Sequence, residues 1–185
     1  MIIALTGTPG TGKTSVAEIL KNKGFTIIDL NKLACDKIFL IGKDYKRDSN
    51  IVDLKKLNKY IFDNYSGAET VIIEGHLSHL LECVEKIIIL RCNPEILKRN
   101  LSKKDWSQEK IKENIEAEIL DIILCETVEI HQEKNIFEIN VTGKTIEKIV
   151  DMIIEIINNK FKPIKKYKIG KIDWSEEILN NFKVG

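Results

Sequence analysis

Five short apolar runs alternate along the chain with longer stretches in which apolar residues recur every three or four positions. Ile2-Ile3-Ala4-Leu5-Thr6 reads as a buried strand that stops at a glycine-rich turn. Thr14 to Lys23 carries Val16, Ala17, Ile19 and Leu20 at helical spacing and ends at Gly24. Phe25-Thr26-Ile27-Ile28 predicts a second strand, ending at Asp29. From Leu30 to Asn50 the pattern is weaker and predicts a short helix around Lys32–Phe39, then a polar loop over 42–49. Val52 to Tyr65 is helical again, closed by Ser66-Gly67. Val71-Ile72-Ile73 and Ile87-Ile88-Ile89-Leu90 are unbroken aliphatic runs, which suit strands of a parallel sheet covered on both faces. Asn93-Pro94 caps a helix to about Leu101. Ser107 caps the longest helical stretch, to about His131, with Ile111, Ile115, Ile119, Ile122 and Ile123 on its stripe. Ile136 to Val141 predicts a fifth strand and Thr145 to about Lys160 a last helix. Strand and helix alternating five times predict an α/β fold, a five-stranded parallel sheet with helices on both faces.

Composition narrows the class. A chain of 185 residues fits one domain, residues 1–160, with a looser Lys-rich C-terminal extension over 161–185. Hydrophobic residues at 43% and charged residues at 31% exclude long disorder, collagen and coiled coil. A net charge of +1 leaves no global field for nucleic acid or membrane. The N-terminus has no basic leader pattern, and no apolar run approaches the roughly 18 residues of a membrane span. Cys35, Cys83, Cys92 and Cys125 form no C-x-x-C pair, which argues against a zinc site or disulfide framework and predicts a cytoplasmic protein.

The chemistry begins at Gly7-Thr8-Pro9-Gly10-Thr11-Gly12-Lys13-Thr14, which satisfies G-x-x-x-x-G-K-[ST] at every fixed position, after a strand and opening a helix. Such a phosphate loop curls its N–H groups around the β-phosphate at a positive helix N-terminus. Gly10, Thr11, Gly12, Lys13, Thr14 and Ser15 are therefore the expected ATP contacts. Lys13 would span the β- and γ-phosphates, and the Thr14 hydroxyl would bind Mg²⁺.

Glu74 ends the third aliphatic strand, where an acid holds Mg²⁺ or positions an attacking water. A solvated strand-end carboxylate is the plainer reading. His76 and His79 are open to two readings as well: a pair of metal ligands brought together by a helical turn, or hydrogen-bonded structural imidazoles. A phosphate loop alone does not separate kinase from hydrolase. The polar insertion over 29–52 resembles an acceptor segment, and Lys103-Lys104-Asp105-Trp106 lies where a mobile lid would exclude water. Lys103 and Lys104 also fit an ordinary solvated helix end. Arginine is scarce (Arg47, Arg91 and Arg99), and Arg91 falls at the carboxyl end of the fourth strand, the ligand-binding edge of doubly wound sheets.

The form Leu5-Thr6-Gly7-Thr8-Pro9-Gly10-Thr11-Gly12-Lys13-Thr14, with Leu90-Arg91-Cys92-Asn93 before a very short lid and Glu113-Asn114-Ile115-Glu116-Ala117-Glu118 after it, resembles the adenylate kinase isoenzyme-six family. The resemblance runs from about Ile2 to Asn159. It implies the P-loop NTPase fold with a monophosphate-binding insertion (29–52) and a short lid (103–113). It further implies an Mg²⁺-dependent nucleoside monophosphate kinase, ATP + AMP giving two ADP, with ATPase activity. A role in late small-subunit (16S) rRNA maturation through transient binding of a platform ribosomal protein is implied too. On this view Lys13, Glu74 and His76 are catalytic, and Lys104 and Lys144 join the ATP site. Asp29, Arg47 and Arg91 would hold the acceptor, and Thr14 with Glu74 the metal. Glu74-Gly75-His76 stands where the family has Asp-x-His, and Lys104-Asp105-Trp106 where it has Arg-Gly-aromatic. The lysines from Lys160 to Lys171 read either as a weak rRNA contact or as a solvated strip. An ATP-switched assembly factor, or a kinase for another small acceptor, are the rival functions.

Overall fold

Alternation within the central strand decides the architecture. In β1 (Ile2–Thr6) Ile3 and Leu5 point to one side of the sheet and Ile2 and Ala4 to the other, and all four are buried. Helices must therefore cover both faces. Ile3 and Leu5 join Val16 and Leu20 of α1 (Lys13–Asn22) and Val150 and Ile153 of α7 (Ile146–Asn158). Ile2 and Ala4 join Leu30 of α2 (Leu30–Ala34) and Leu57 and Ile61 of α3 (Leu54–Tyr65).

The structure is a computed structural model that describes residues 1–35, 38–44 and 49–176. Its main sheet is parallel and five-stranded, as the sequence predicts, in the order β2 (Thr26–Asp29), β5 (Val71–Glu74), β1, β6 (Lys86–Arg91), β7 (Ile136–Asn140). β1 is thus central, and the register Leu5↔Glu74 sets Glu74 beside the start of the phosphate loop. Helices α4 (Pro94–Leu101), α5 (Gln108–Ile119) and α6 (Ile122–Ile130) follow β6.

Three expectations are corrected. The stretch from Ser107 to His131 is two helices, because Leu120 ends α5 and Asp121 takes a left-handed conformation (φ 55°) before α6. The segment after α2 is not continuous helix and loop: β3 (Leu40–Asp44) and β4 (Ser49–Val52) pair as an antiparallel hairpin. The described residues after 160, 161–176, which the sequence reads as a looser extension, pack in part against the core. Phe161 stacks edge-on against Phe137 at 5.6 Å, and Tyr167, 1% exposed, donates to Glu155 Oε2 at 2.6 Å.

Candidate active site at the phosphate loop

Gly7 opens the loop with φ 139°, and a Cβ there would lie 2.4 Å from the Leu90 carbonyl oxygen, so only glycine lets the loop leave β1 against β6. Gly12, at φ 92°, caps α1 from the left-handed region. Lys13 then folds back over the loop, its Nζ donating to the Gly7 and Thr8 carbonyls at 2.7 and 3.1 Å. Burial pushes the ammonium down to about 8, with Glu74 opposing that shift and Lys104 adding to it. Thr14 and Ser15 lie exposed on the first turn of α1, facing a cavity of about 960 Å³.

Glu74 closes the floor. It is 3% exposed and accepts from Thr14 Oγ1 at 3.3 Å. Burial raises its pKa, Lys13 opposes that rise, and Asp29 adds to it. A buried carboxylate still short of positive charge, touching a hydroxyl, is a pair of hard oxygen donors of the kind Mg²⁺ takes. Among the described residues no cluster of three or more His, Cys, Asp or Glu could hold a metal by itself. A cation at Thr14 and Glu74 would therefore complete its shell with water or phosphate oxygens.

The two histidines part company. His76 lines the cavity, and burial, then Lys13, hold it neutral with its pKa pushed down to about 4. His79 is 1% exposed and faces away from the cavity: Nδ1 meets Thr6 Oγ1 at 3.1 Å and Nε2 meets Glu126 Oε2 at 2.9 Å. The hydrogen-bonded reading holds for His79, and the paired-ligand reading does not.

Residues after α4 add a cationic and aromatic part of the lining. Trp106 stands between Lys104 Nζ (4.8 Å from the ring) and Lys110 Nζ (4.7 Å), and all three line the cavity. Asn31 of α2 and Glu113, Asn114, Glu116 and Ala117 of α5 complete it.

Other predicted residues lie elsewhere. Arg91 is 2% exposed and donates to Glu118 Oε1 at 2.8 Å and Glu138 Oε1 at 2.7 Å, with Asp121 as a third carboxylate partner. It does not line the cavity and is corrected from acceptor ligand to buried structural cation. Against the desolvation that opposes it, three carboxylates, Glu118 first, hold its pKa above the usual range. Asp29 is an exposed cap of α2, accepting from Lys32 N at 2.9 Å. Thr11 turns inward, its Oγ1 donating to the Thr8 carbonyl at 3.0 Å. Lys144 sits in the turn between β7 and α7, off the cavity lining, two residues before Ile146, which approaches Gly12. Arg47 lies outside the described residues.

Sequence reasoning covered Asn31 and Lys110 only as members of 29–52 and 103–113, gave Glu118 no role of its own, and missed Asn100. Asn100 donates to the Gly10 carbonyl at 3.0 Å. Glu118 had a readable signal: it stands seven residues after Ile111 on the stripe of α5 that faces the core, where a charge needs a partner.

The AAA domain family matches residues 3–121. The chain is 41% identical over 181 residues to a Methanocaldococcus jannaschii protein named "Putative adenylate kinase", covering 97% of this chain and 96% of that one. A Methanococcus maripaludis protein of the same name is 40% identical over 185 residues, covering 97% and 98%. The fold is similar to thymidylate kinase from Candida albicans (TM-score 0.55, 15% identity, 86% of this chain and 92% of that). It is equally similar to a sugar kinase from Janibacter sp. HTCC2649 (TM-score 0.55, 13% identity, 88% and 98%). Among the described residues no helix is long and apolar enough to cross a membrane.

Proposed function

We propose that this chain, which belongs to the AAA-domain P-loop family together with archaeal proteins carrying an adenylate kinase name, transfers the γ-phosphoryl group of ATP to AMP. The observation that carries the reading is one cavity joining the loop, Thr14, Glu74 and the lid lysines to Asn31 at the start of the acceptor segment. Its volume, about 960 Å³, is at the upper end for a small-molecule site and supports room for two nucleotides.

The loop amides and Lys13 stabilise charge on the β- and γ-phosphates. Thr14 and Glu74 are the residues that would hold Mg²⁺, which when bound neutralises phosphate charge. His76, kept neutral by burial, is a hydrogen-bond partner for the transferring group rather than a charge. Lys104 and Lys110 can leave the Trp106 faces for phosphate oxygens, and the lid then excludes water. No general base is needed, because the acceptor phosphate is already an anion. Residues 29–52 serve as the acceptor segment and 103–113 as the lid.

The test is ADP formation from Mg·ATP with and without AMP, CMP, GMP or UMP. AMP should raise the rate, with two ADP formed per ATP consumed. Lys13→Ala should remove transfer while circular dichroism stays unchanged; normal turnover in that variant sinks the scheme.

A second reading keeps the site but makes ATP hydrolysis the output, in an assembly factor for the small ribosomal subunit. It is favoured by the cations of the cavity wall: among the described lining residues these are lysines, and Arg91 is taken up by carboxylates. The exposed Lys160, Lys162, Lys165 and Lys168 would contribute a weak rRNA contact, alongside a platform ribosomal protein. ADP release indifferent to every monophosphate, with ATP-dependent cosedimentation with small-subunit precursors, is its expected signature.

A further inference from the structure

Glu118 is 2% exposed, and phosphoryl transfer as described above does not use it. Its Oε1 accepts from Arg91 Nε at 2.8 Å, Cys92 N at 3.0 Å and Trp174 Nε1 at 3.3 Å. Those donors alone would satisfy a buried carboxylate. The other oxygen, Oε2, accepts instead from Thr8 Oγ1 at 2.5 Å, and Thr8 belongs to the phosphate loop.

Thr8 is the residue on which the loop's internal contacts converge. Its carbonyl accepts from Lys13 Nζ at 3.1 Å, Thr11 Oγ1 at 3.0 Å and Thr11 N at 3.3 Å. The hydroxyl of one residue is thus tied to Glu118, while its carbonyl seats the lysine that meets phosphate. Charge-assisted bonds of this kind are short and about twice as strong as neutral ones. On the other side of the loop, Asn100 of α4 holds the Gly10 carbonyl at 3.0 Å. The two helices joined by residues 102–107, where the lid begins, therefore both hold the loop.

We propose that Glu118 is a positioning residue for the phosphate loop: through Thr8 it fixes the backbone that seats Lys13, and it ties that backbone to the helix carrying the lid. The inference rests on the reading of this cavity as the nucleotide site.

Three single variants and one double variant test it in the full chain: Thr8→Val, which deletes the donor at nearly constant shape, Thr8→Ser, which keeps it, Glu118→Gln, and Thr8→Val with Glu118→Gln. ATP affinity is measured by calorimetry, turnover by ADP formation, and stability by thermal melting. Thr8→Val is expected to bind ATP ~10-fold more weakly, the size of one such bond, with Thr8→Ser near wild type. The double variant should lose little more than the worse single one. Wild-type affinity and turnover in Thr8→Val, or strictly additive losses, overturn the inference even if melting temperatures fall, since a merely structural contact moves only stability. Should Glu118→Gln not fold, the two Thr8 variants decide alone. A wild-type chain that binds no ATP overturns the nucleotide reading itself, and that outcome is distinct from wild-type binding with an unaffected Thr8→Val.

Discussion

Arg91 shows how a single residue's role turns on its partners. It stands at the edge where a phosphate clamp belongs, yet its fork reaches Glu118, Glu138 and Asp121. Arg91→Met should cost about 3–5 kcal/mol in urea unfolding, because removing one member of a buried ionic cluster strands the others. An unchanged midpoint with a raised KM for AMP would return Arg91 to the acceptor site. The imidazoles are also read residue by residue. Burial holds His76 (pushed down to about 4) and His79 below the ordinary histidine value, against which the Glu126 contact pulls His79 upward. The unfolded chain therefore binds more protons below about pH 6.5, the usual histidine value, and folding stability is expected to fall as pH drops from there toward about 4. The melting temperature should show that slope, and a variant with His76→Gln should show a shallower one; identical slopes would mean the histidines are not the titrating groups.

At the scale of elements, the C-terminal segment carries the largest difference between expectation and structure. Its lysines read either as a weak rRNA contact or as a solvated strip, and Lys166 pairs at the surface with Glu155. The aromatic residues between those lysines go inward: Phe161 and Tyr167 join the core that holds Val16, Val150 and Ile153. Tyr167→Ala should destabilise the fold by about 3–5 kcal/mol through the cavity it leaves, measured by urea denaturation. A loss under about 1 kcal/mol would mean the segment does not stay docked. The helix from Ser107 was readable at its start, because Ser107 accepts from Lys110 N as a cap should, at 3.2 Å. Its break at Leu120–Asp121 was not, since no glycine or proline marks it, and the left-handed Asp121 has its partner in Arg91, thirty residues away in the chain. The hairpin of β3 and β4 escaped notice because its strands are short and cluster their apolar residues at one end, with neither period to betray them.

The cavity at the carboxyl edge of the sheet, whose central strand bears the phosphate loop, is lined by Asn31 from the proposed acceptor segment and by Lys104, Trp106 and Lys110 from the proposed lid. If both serve bound nucleotides, an analogue joining ATP and AMP through their phosphates should slow amide exchange in 29–52 and in 103–113 together. Protection of the lid alone would leave a single-nucleotide site and favour the hydrolytic reading.

The chain by itself determined the five strands of the main sheet, most helix boundaries and the phosphate loop, because each depends on neighbours within a few residues: period, caps, and eight contiguous residues that curl around an anion. Only the tertiary structure decided which charged groups remain available to chemistry. Thr8 meets Glu118 across 110 positions, Arg91 meets Glu138 across 47, and His79 meets Glu126 across 47. Sheet order and helix docking set those separations. A buried charge takes whatever partner the fold brings near, so Arg91 is withdrawn from the site while Lys110 and Asn31 enter it.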